Sequence, residues 1–462
     1  MTKKLLKTWQ KPSITPHQLG TLNKFGRPIG TDYVDKIDGV AVEDLLREYG
    51  SPLFVISEKR LRDNVRQLKR TFESRYQPVI HAWSYKTNYL NAVCATLHQE
   101  GSWAEVVSAF EYEKARSLGV PGSRILFNGP HKPRAILERC VAEGAQIHID
   151  NLDELHLLNS VARELDKVTA VTLRLNLETG YTEEWSRFGF NLESGAALDA
   201  AIQISNSSHL KLSGLHSHIG TFILDARAYQ VQVEKMIEFM ESIEQQNYAV
   251  IESLDIGGGF ASQNAVQGLY LPAEQVVPPM TQYADAICST LLKKTTNREA
   301  QGKPRLTLIL ESGRAVIDDA EVLVSSVVAS KRLPDGRASY VMDAGVNLLF
   351  TAFWYDHRVR PTRPLQGGAE ETVLYGPLCM NIDIIRQSIS MQPLSVGDSL
   401  VISPVGAYNN TQWMQFIEYR PNVVMVDEKE QVSVVRRNET LTDINEFESL
   451  PTHLNGSFKF SE

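Results

Sequence analysis

Cysteine is scarce. The 462-residue chain has four, Cys94, Cys140, Cys288 and Cys379, with no Cys-x-x-Cys and no Cys/His spacing. A disulfide framework or a structural zinc site is therefore not expected, and a reducing cytoplasm fits. Long apolar runs are missing as well, since none approaches the ~18 residues of a membrane span. The basic start at residues 1–10 lacks the apolar core of a signal peptide, so export is not expected. There is no cationic excess: the formal charge is −8, which argues against nucleic acid as the main partner. Internal repeats and low-complexity segments are likewise absent. What remains is a globular composition, 43% hydrophobic and 22% charged, on a chain long enough for two domains, one of them with room to be a barrel of about 250 residues.

Short apolar runs recur through the first two thirds, at 82–85, 103–107, 125–127, 146–149, 171–175, 212–217, 253–256 and 306–310. Between them lie amphipathic, charged stretches such as 111–118, 152–165 and 229–246, so the alternation predicts a parallel (β/α)8 barrel over residues 51–315. At or just after the strand ends stand Lys86, Ser108, Asn128, Asp150, Asn176, His218, Gly257 and Glu311. A barrel gathers such ends on one face. Beyond residue 315 the texture turns to strand-like runs at 321–328, 339–342, 399–402, 422–426 and 431–435, interrupted by a Pro-, Gly- and charge-rich loop at 360–371. Residues 1–50, with Gly/Pro punctuation at 26–30 and a helix predicted at 42–49, complete this second, mostly β domain. The fold class is α/β with a C-terminal β-rich domain.

Certain stretches carry chemistry. Lys86 ends a run with two aromatics, Trp83 and Tyr85, where a lysine is costly unless paired; it reads either as an exposed strand end or as a desolvated amine able to form a Schiff base. Gly257, Gly258 and Gly259 follow an apolar strand, so the backbone there can approach a phosphate or simply turn tightly. The spacing is not that of a dinucleotide fingerprint. Glu311-Ser312-Gly313-Arg314 offers either a local salt bridge or an acid that keeps a ring nitrogen protonated. His216 and His218 share one face of a strand. Zinc would need a third ligand that the sequence does not supply, so no metal is expected.

Taken in order, these segments resemble the pyridoxal-phosphate decarboxylases of the alanine-racemase-like fold, the ornithine, arginine and diaminopimelate decarboxylases, over roughly residues 30 to 425. The resemblance implies pyridoxal 5'-phosphate as cofactor, with Lys86 as its Schiff-base lysine. It further implies His218 stacked on the ring, with Thr221 in place of a usual serine, and Gly257, Gly258 and Gly259 as the phosphate turn. Glu311 would face the ring nitrogen, Arg314 matches the cofactor-binding arginine of the family's Glu-Pro-Gly-Arg with Ser312 in place of proline, Tyr408 would reach the phosphate, and Glu105 stands where an aspartate is usual. Phe416 would be a substrate-side aromatic. Cys379 would come from a second subunit and protonate the carbanion, so a homodimer with shared active sites is implied.

The substrate end departs from the family patterns. Thr351-Ala352-Phe353-Trp354-Tyr355 lacks the arginine with which diaminopimelate decarboxylases grip a carboxylate. Met380 follows the cysteine where ornithine decarboxylases carry an aspartate. Tyr355-Asp356-His357 does match the ornithine type, so Asp356 could hold an amine, and His357 and Arg358 could receive carboxylates. These departures suit an amino acid with an extended or amide-linked distal group, as in siderophore- or antibiotic-pathway relatives. D-ornithine, lysine-like and diaminopimelate substrates stay open, as do a racemase and a catalytically inactive binding homologue.

Overall fold

Helix and strand in this chain follow from where the apolar side chains fall. A computed structural model describes residues 32–269 and 271–456; the 26–30 segment and the basic start lie outside them. Helix Glu58–Glu73 buries Leu61, Val65, Leu68 and Phe72, one stripe at helical spacing, and is capped by the Ser57 hydroxyl accepting from Arg60 N at 3.0 Å. Such helices alternate with eight strands: β1 (Val79–Ser84), β2 (Trp103–Val106), β3 (Ile125–Phe127), β4 (Gln146–Ile149), β5 (Thr169–Asn176), β6 (Leu210–Ser217), β7 (Ser253–Asp255) and β8 (Thr307–Leu310). All pair in parallel, and β8 pairs back onto β1 through Leu310↔His81, which closes the barrel. With helices packed outside, most strand residues are buried, which is why the runs are continuously apolar instead of alternating.

The second domain is built around strand Glu321–Arg332. It pairs antiparallel with Ala338–Met342, Ser399–Ser403 and Leu53–Ser57. Leu53–Ser57 lies within the 51–315 range expected for the barrel, yet its partners are this strand and Val423–Val426, so by pairing it belongs to the β domain. The physical reason is two-sided burial. Phe54 and Ile56 join the main core, whereas Leu53 and Val55 join an outer core with Ile37, Val42, Leu45 and Val424. That outer core draws in helix Val42–Tyr49, which stops at Gly50 (φ +80°). The expected loop at 360–371 is also shorter than predicted. Strand Arg358–Pro361 pairs with Ser399–Ser403, and Glu370–Tyr375 pairs with Ala338–Met342 and Ile384–Met391. Pro361 occupies the last position of its strand, where a missing N–H is tolerated.

Candidate active site

Strand β1 ends at Ser84, and Tyr85–Thr87 forms a 3-10 turn that lifts Lys86 off the barrel rim. Tyr85 packs inward with its hydroxyl 2.8 Å from His98 Nε2, and Trp83 donates to Asn88 O at 3.2 Å. The turn is then stapled by the second domain: Tyr408 N donates to Thr87 O (2.8 Å), Thr411 Oγ1 to Lys86 O (2.9 Å) and Asn88 Nδ2 to Glu321 Oε2 (3.1 Å). Tyr408 sits at φ +65°, a strained conformation for a tyrosine that this stapling maintains.

The Lys86 side chain, 37% accessible, reaches into a cavity of about 850 Å³ at the carboxyl ends of the strands. Its amine pairs with fully buried Glu105 at 3.1 and 3.2 Å. Burial opposes the ammonium, but the charges of Glu105 and Glu311 outweigh it and hold the amine above its ordinary range. Glu105 is itself pushed up by burial, with Lys86 pulling the other way. The longer acid in this place therefore meets the lysine directly.

Opposite stands Glu311, held by Asn128 Nδ2 at 2.6 Å. Asn128 O in turn accepts from Arg174, which also pairs with Asp150 at 3.1 Å. His218 lines the same cavity, accepts from Gly258 N at 3.0 Å and is kept neutral by burial and by the Lys86 charge. The glycines are required sterically. A Cβ on Gly257 would stand 2.7 Å from His218 Nδ1, and one on Gly258 would stand 2.5 Å from Glu311 O. Arg314 lies within 4.8 to 5.6 Å of the Tyr408, Tyr355 and Phe222 rings, with Nη1 buried and unpartnered. A buried guanidinium N–H with no acceptor, beside the Tyr408 ring, fits a phosphate. Asp318 braces this end by accepting from the Ser262 hydroxyl and from Ala407 N.

The cavity thus gathers Lys86, His218, Thr221, Glu311, Arg314, Tyr355 and Tyr408. It does not include Thr351, Asp356, Cys379, Met380 or Phe416; Glu105 and the 257–259 glycines are also outside the lining, Glu105 touching it through Lys86 and Gly258 through His218. Thr351 is 1% exposed because its hydroxyl is tied to Asn409 and His357 in the domain core. His357 is wholly buried and pushed down to about 4 by that burial, so it is no carboxylate receptor. Asp356 faces Arg386 at 3.5 Å, and Arg358 pairs with Glu274 at 3.2 Å. Phe416 lies on the loop before Val423–Val426, outside the lining. Cys379 is exposed, and with Met380 it lies on the connection between Glu370–Tyr375 and Ile384–Met391. Sequence reasoning missed Trp185, Arg187 and Phe188, which wall the cavity from the segment after β5. Asn176, already visible as a strand end, holds that segment by donating to Trp185 O at 2.7 Å. His216 also has company that the sequence did not reveal: His148 and Asp255 lie with it against the cavity-lining Glu311.

A lysine, an acid, a neutral imidazole and a phosphate-type cradle at the mouth of a barrel capped by a β domain define a pyridoxal-phosphate enzyme. The family described as "Pyridoxal-dependent decarboxylase, pyridoxal binding domain" matches residues 60–318. The chain belongs to this decarboxylase family and is a carboxy-lyase with pyridoxal 5'-phosphate as its cofactor. It is 29% identical over 437 residues to the diaminopimelate decarboxylase of Methanocaldococcus jannaschii, covering 90% of this chain and 95% of that protein. It is 27% identical over 424 residues to that of Zymomonas mobilis, covering 88% and 95%. The crystal structure of the M. jannaschii diaminopimelate decarboxylase in co-complex with L-lysine superposes with a TM-score of 0.83 at 27% identity, covering 92% of this chain and 98% of that one. The alanine-racemase-like architecture expected from the sequence is the one observed.

Proposed function

We propose that this enzyme removes the α-carboxylate of a diamino-acid-type substrate whose distal end is extended or amide-linked, releasing carbon dioxide and an amine. The observation that carries this reading is the apolar part of the cavity lining, made by Trp185, Phe188, Phe222, Leu224, Val266 and Leu269. Among the described residues lining the cavity, Glu311 is the sole acid, and Asn128 already engages it. A bare ω-ammonium would lie there without a carboxylate, at a cost of about 2–5 kcal/mol for an unpaired buried charge. An acyl or other extended group would bury apolar surface instead.

Bound pyridoxal 5'-phosphate supplies the electron sink for the departing carboxylate. Lys86 would hold its aldehyde end, Glu311 its ring nitrogen, His218 a ring face, and Arg314, Tyr408 and the 257–259 turn its phosphate. Glu105 keeps a charge beside the Lys86 amine, and the apolar wall excludes water from the carboxylate as its charge is lost. Cys379, absent from the lining of its own chain's cavity, would deliver the proton to the α-carbon in a second subunit's site.

A second reading, decarboxylation of diaminopimelate itself, is favoured by the names of the relatives and by Arg187. Stacked on Phe188 at the cavity rim, Arg187 offers a cation to a distal carboxylate. Carbon dioxide release from meso-diaminopimelate, both enantiomers of ornithine and lysine, and their ω-N-acyl derivatives separates the two. The ω-acyl compounds are expected to lead in kcat/KM by about tenfold or more. Fastest turnover of diaminopimelate would replace the first reading with the second. Lys86→Ala should abolish both turnover and the borohydride-fixable bond between protein and cofactor, and cofactor still fixed to the Lys86→Ala protein by borohydride would remove that lysine from its role.

A further inference from the structure

Inside the barrel four titratable side chains come together from four strand ends, His148 on β4, His216 on β6, Asp255 on β7 and, after β8, Glu311, which also lines the cofactor cavity. One ligand-type atom of each lies within 4.8 Å of the others, and all four are at most 4% exposed. His216 Nε2 is 3.5 Å from Glu311 Oε2, and His148 Nε2 is 3.9 Å from Asp255 Oδ2. The two imidazoles lie 4.9 Å apart, and neither has a hydrogen-bond partner at either nitrogen. Asp255 Oδ1 accepts from Gly257 N at 2.9 Å, which leaves Oδ2 turned into the cluster.

Two carboxyl groups so close in a dry interior do not both ionise; one keeps a proton. We propose that Asp255 is that protonated acid, and that with His216 and His148 it forms a positioning cluster that keeps Glu311 the anion facing the cofactor's ring nitrogen. Burial and the adjacent Glu311 charge hold the Asp255 carboxyl well above the usual range. Burial keeps both imidazoles neutral; the Arg174 and Lys132 charges press His216 and His148 the same way, with Lys86 adding to them at His216. The cluster then carries one negative charge, on the residue that Asn128 orients. A divalent cation bound by these four groups would set positive charge beside a ring that must stay protonated, so the chemistry of the site favours a proton over a metal.

This inference rests on pyridoxal phosphate occupying the cavity, but its first test does not need the cofactor. Infrared difference spectra of the cofactor-free protein at neutral pH, wild type minus Asp255→Asn, should show a protonated-carboxyl band; its absence overturns the proposal. The second test compares affinity of the cofactor-free protein for pyridoxal phosphate with that for its 1-deaza analogue, which lacks the ring nitrogen. Asparagine imitates a neutral acid, so Asp255→Asn should keep the wild-type preference for pyridoxal phosphate. Asp255→Leu and His216→Phe should reduce that preference by about tenfold while leaving analogue affinity unchanged. Equal loss of both ligands would mean a purely structural role, and Asp255→Asn behaving like Asp255→Leu would mean an ionised Asp255; either overturns the proposal. So does one equivalent of zinc in the purified protein that is lost in His216→Phe. Failure of wild type to bind pyridoxal phosphate would overturn the functional reading instead, and the infrared band would still decide the state of Asp255.

Discussion

Glu105 decides what Lys86 can do before any cofactor arrives. With a carboxylate 3.1 Å away the amine stays an ammonium beyond its ordinary range, and an ammonium cannot attack an aldehyde. Cofactor uptake by the empty protein should therefore speed up as pH rises through the alkaline range. Glu105→Gln removes the main attraction and leaves the burial that opposes the charge, so the uptake profile should move about one to three pH units toward acid. Stopped-flow absorbance against pH measures this, and a profile unmoved by the substitution would mean that Glu105 does not govern the amine. Lys86 was recognisable from its place after two aromatics. Its partnership with Glu105 was not, because it depends on the register of β1 against β2, Ser84↔Glu105, which the sequence leaves unstated.

Strand Glu321–Arg332 does for the site what no barrel element can. Its first residue, fully buried Glu321, accepts from Asn88 beside the lysine turn (3.1 Å) and from Asn410 in the Tyr408 loop (2.7 Å). One side chain thereby ties both halves of the cavity together. Burial pushes this carboxyl up to about 8, so the folded protein holds a proton there that the unfolded chain releases near the ordinary carboxylate value. The folded state therefore loses stability as pH rises between those two values, by at most about 1.4 kcal/mol per pH unit, and the loss levels off above about 8. Glu321→Gln cannot ionise, so, whatever its offset from wild type near pH 4, its melting temperature should rise relative to wild type as pH goes from about 4 to 8. Thermal unfolding at several pH values tests it, and parallel curves would refute it. The barrel strands were legible because each is an apolar run bounded by charge, and the eight polar strand ends followed from their phase. Leu53–Ser57 and Arg358–Pro361 were hidden for a different reason. Their pairing partners lie hundreds or tens of residues away, and a five-residue apolar run does not say which sheet it joins.

At the scale of the whole molecule, the chain's own cavity contains Lys86, Glu311, Arg314 and Tyr408 but not Cys379, which lies exposed on a connection of the β domain. A decarboxylase must return a proton to the α-carbon, and the lining of the chain's own cavity leaves Cys379 out. The homodimer with shared active sites proposed from the sequence would answer that requirement by symmetry, with each loop set against the other subunit's cavity. Lys86→Ala and Cys379→Ala homodimers should each be impaired, the first for want of the amine and the second for want of the acid. When the two are unfolded together and reassembled, half of the dimers are mixed, and in each mixed dimer one of the two sites combines an intact lysine with an intact cysteine. Activity should therefore recover to about a quarter of wild type. If both residues served the same chain's site, no mixed dimer could contain a complete site and the mixture would stay at the level of its parents. Sedimentation of the wild type supplies the control, since a chain that remains monomeric while fully active would rule out a shared site altogether.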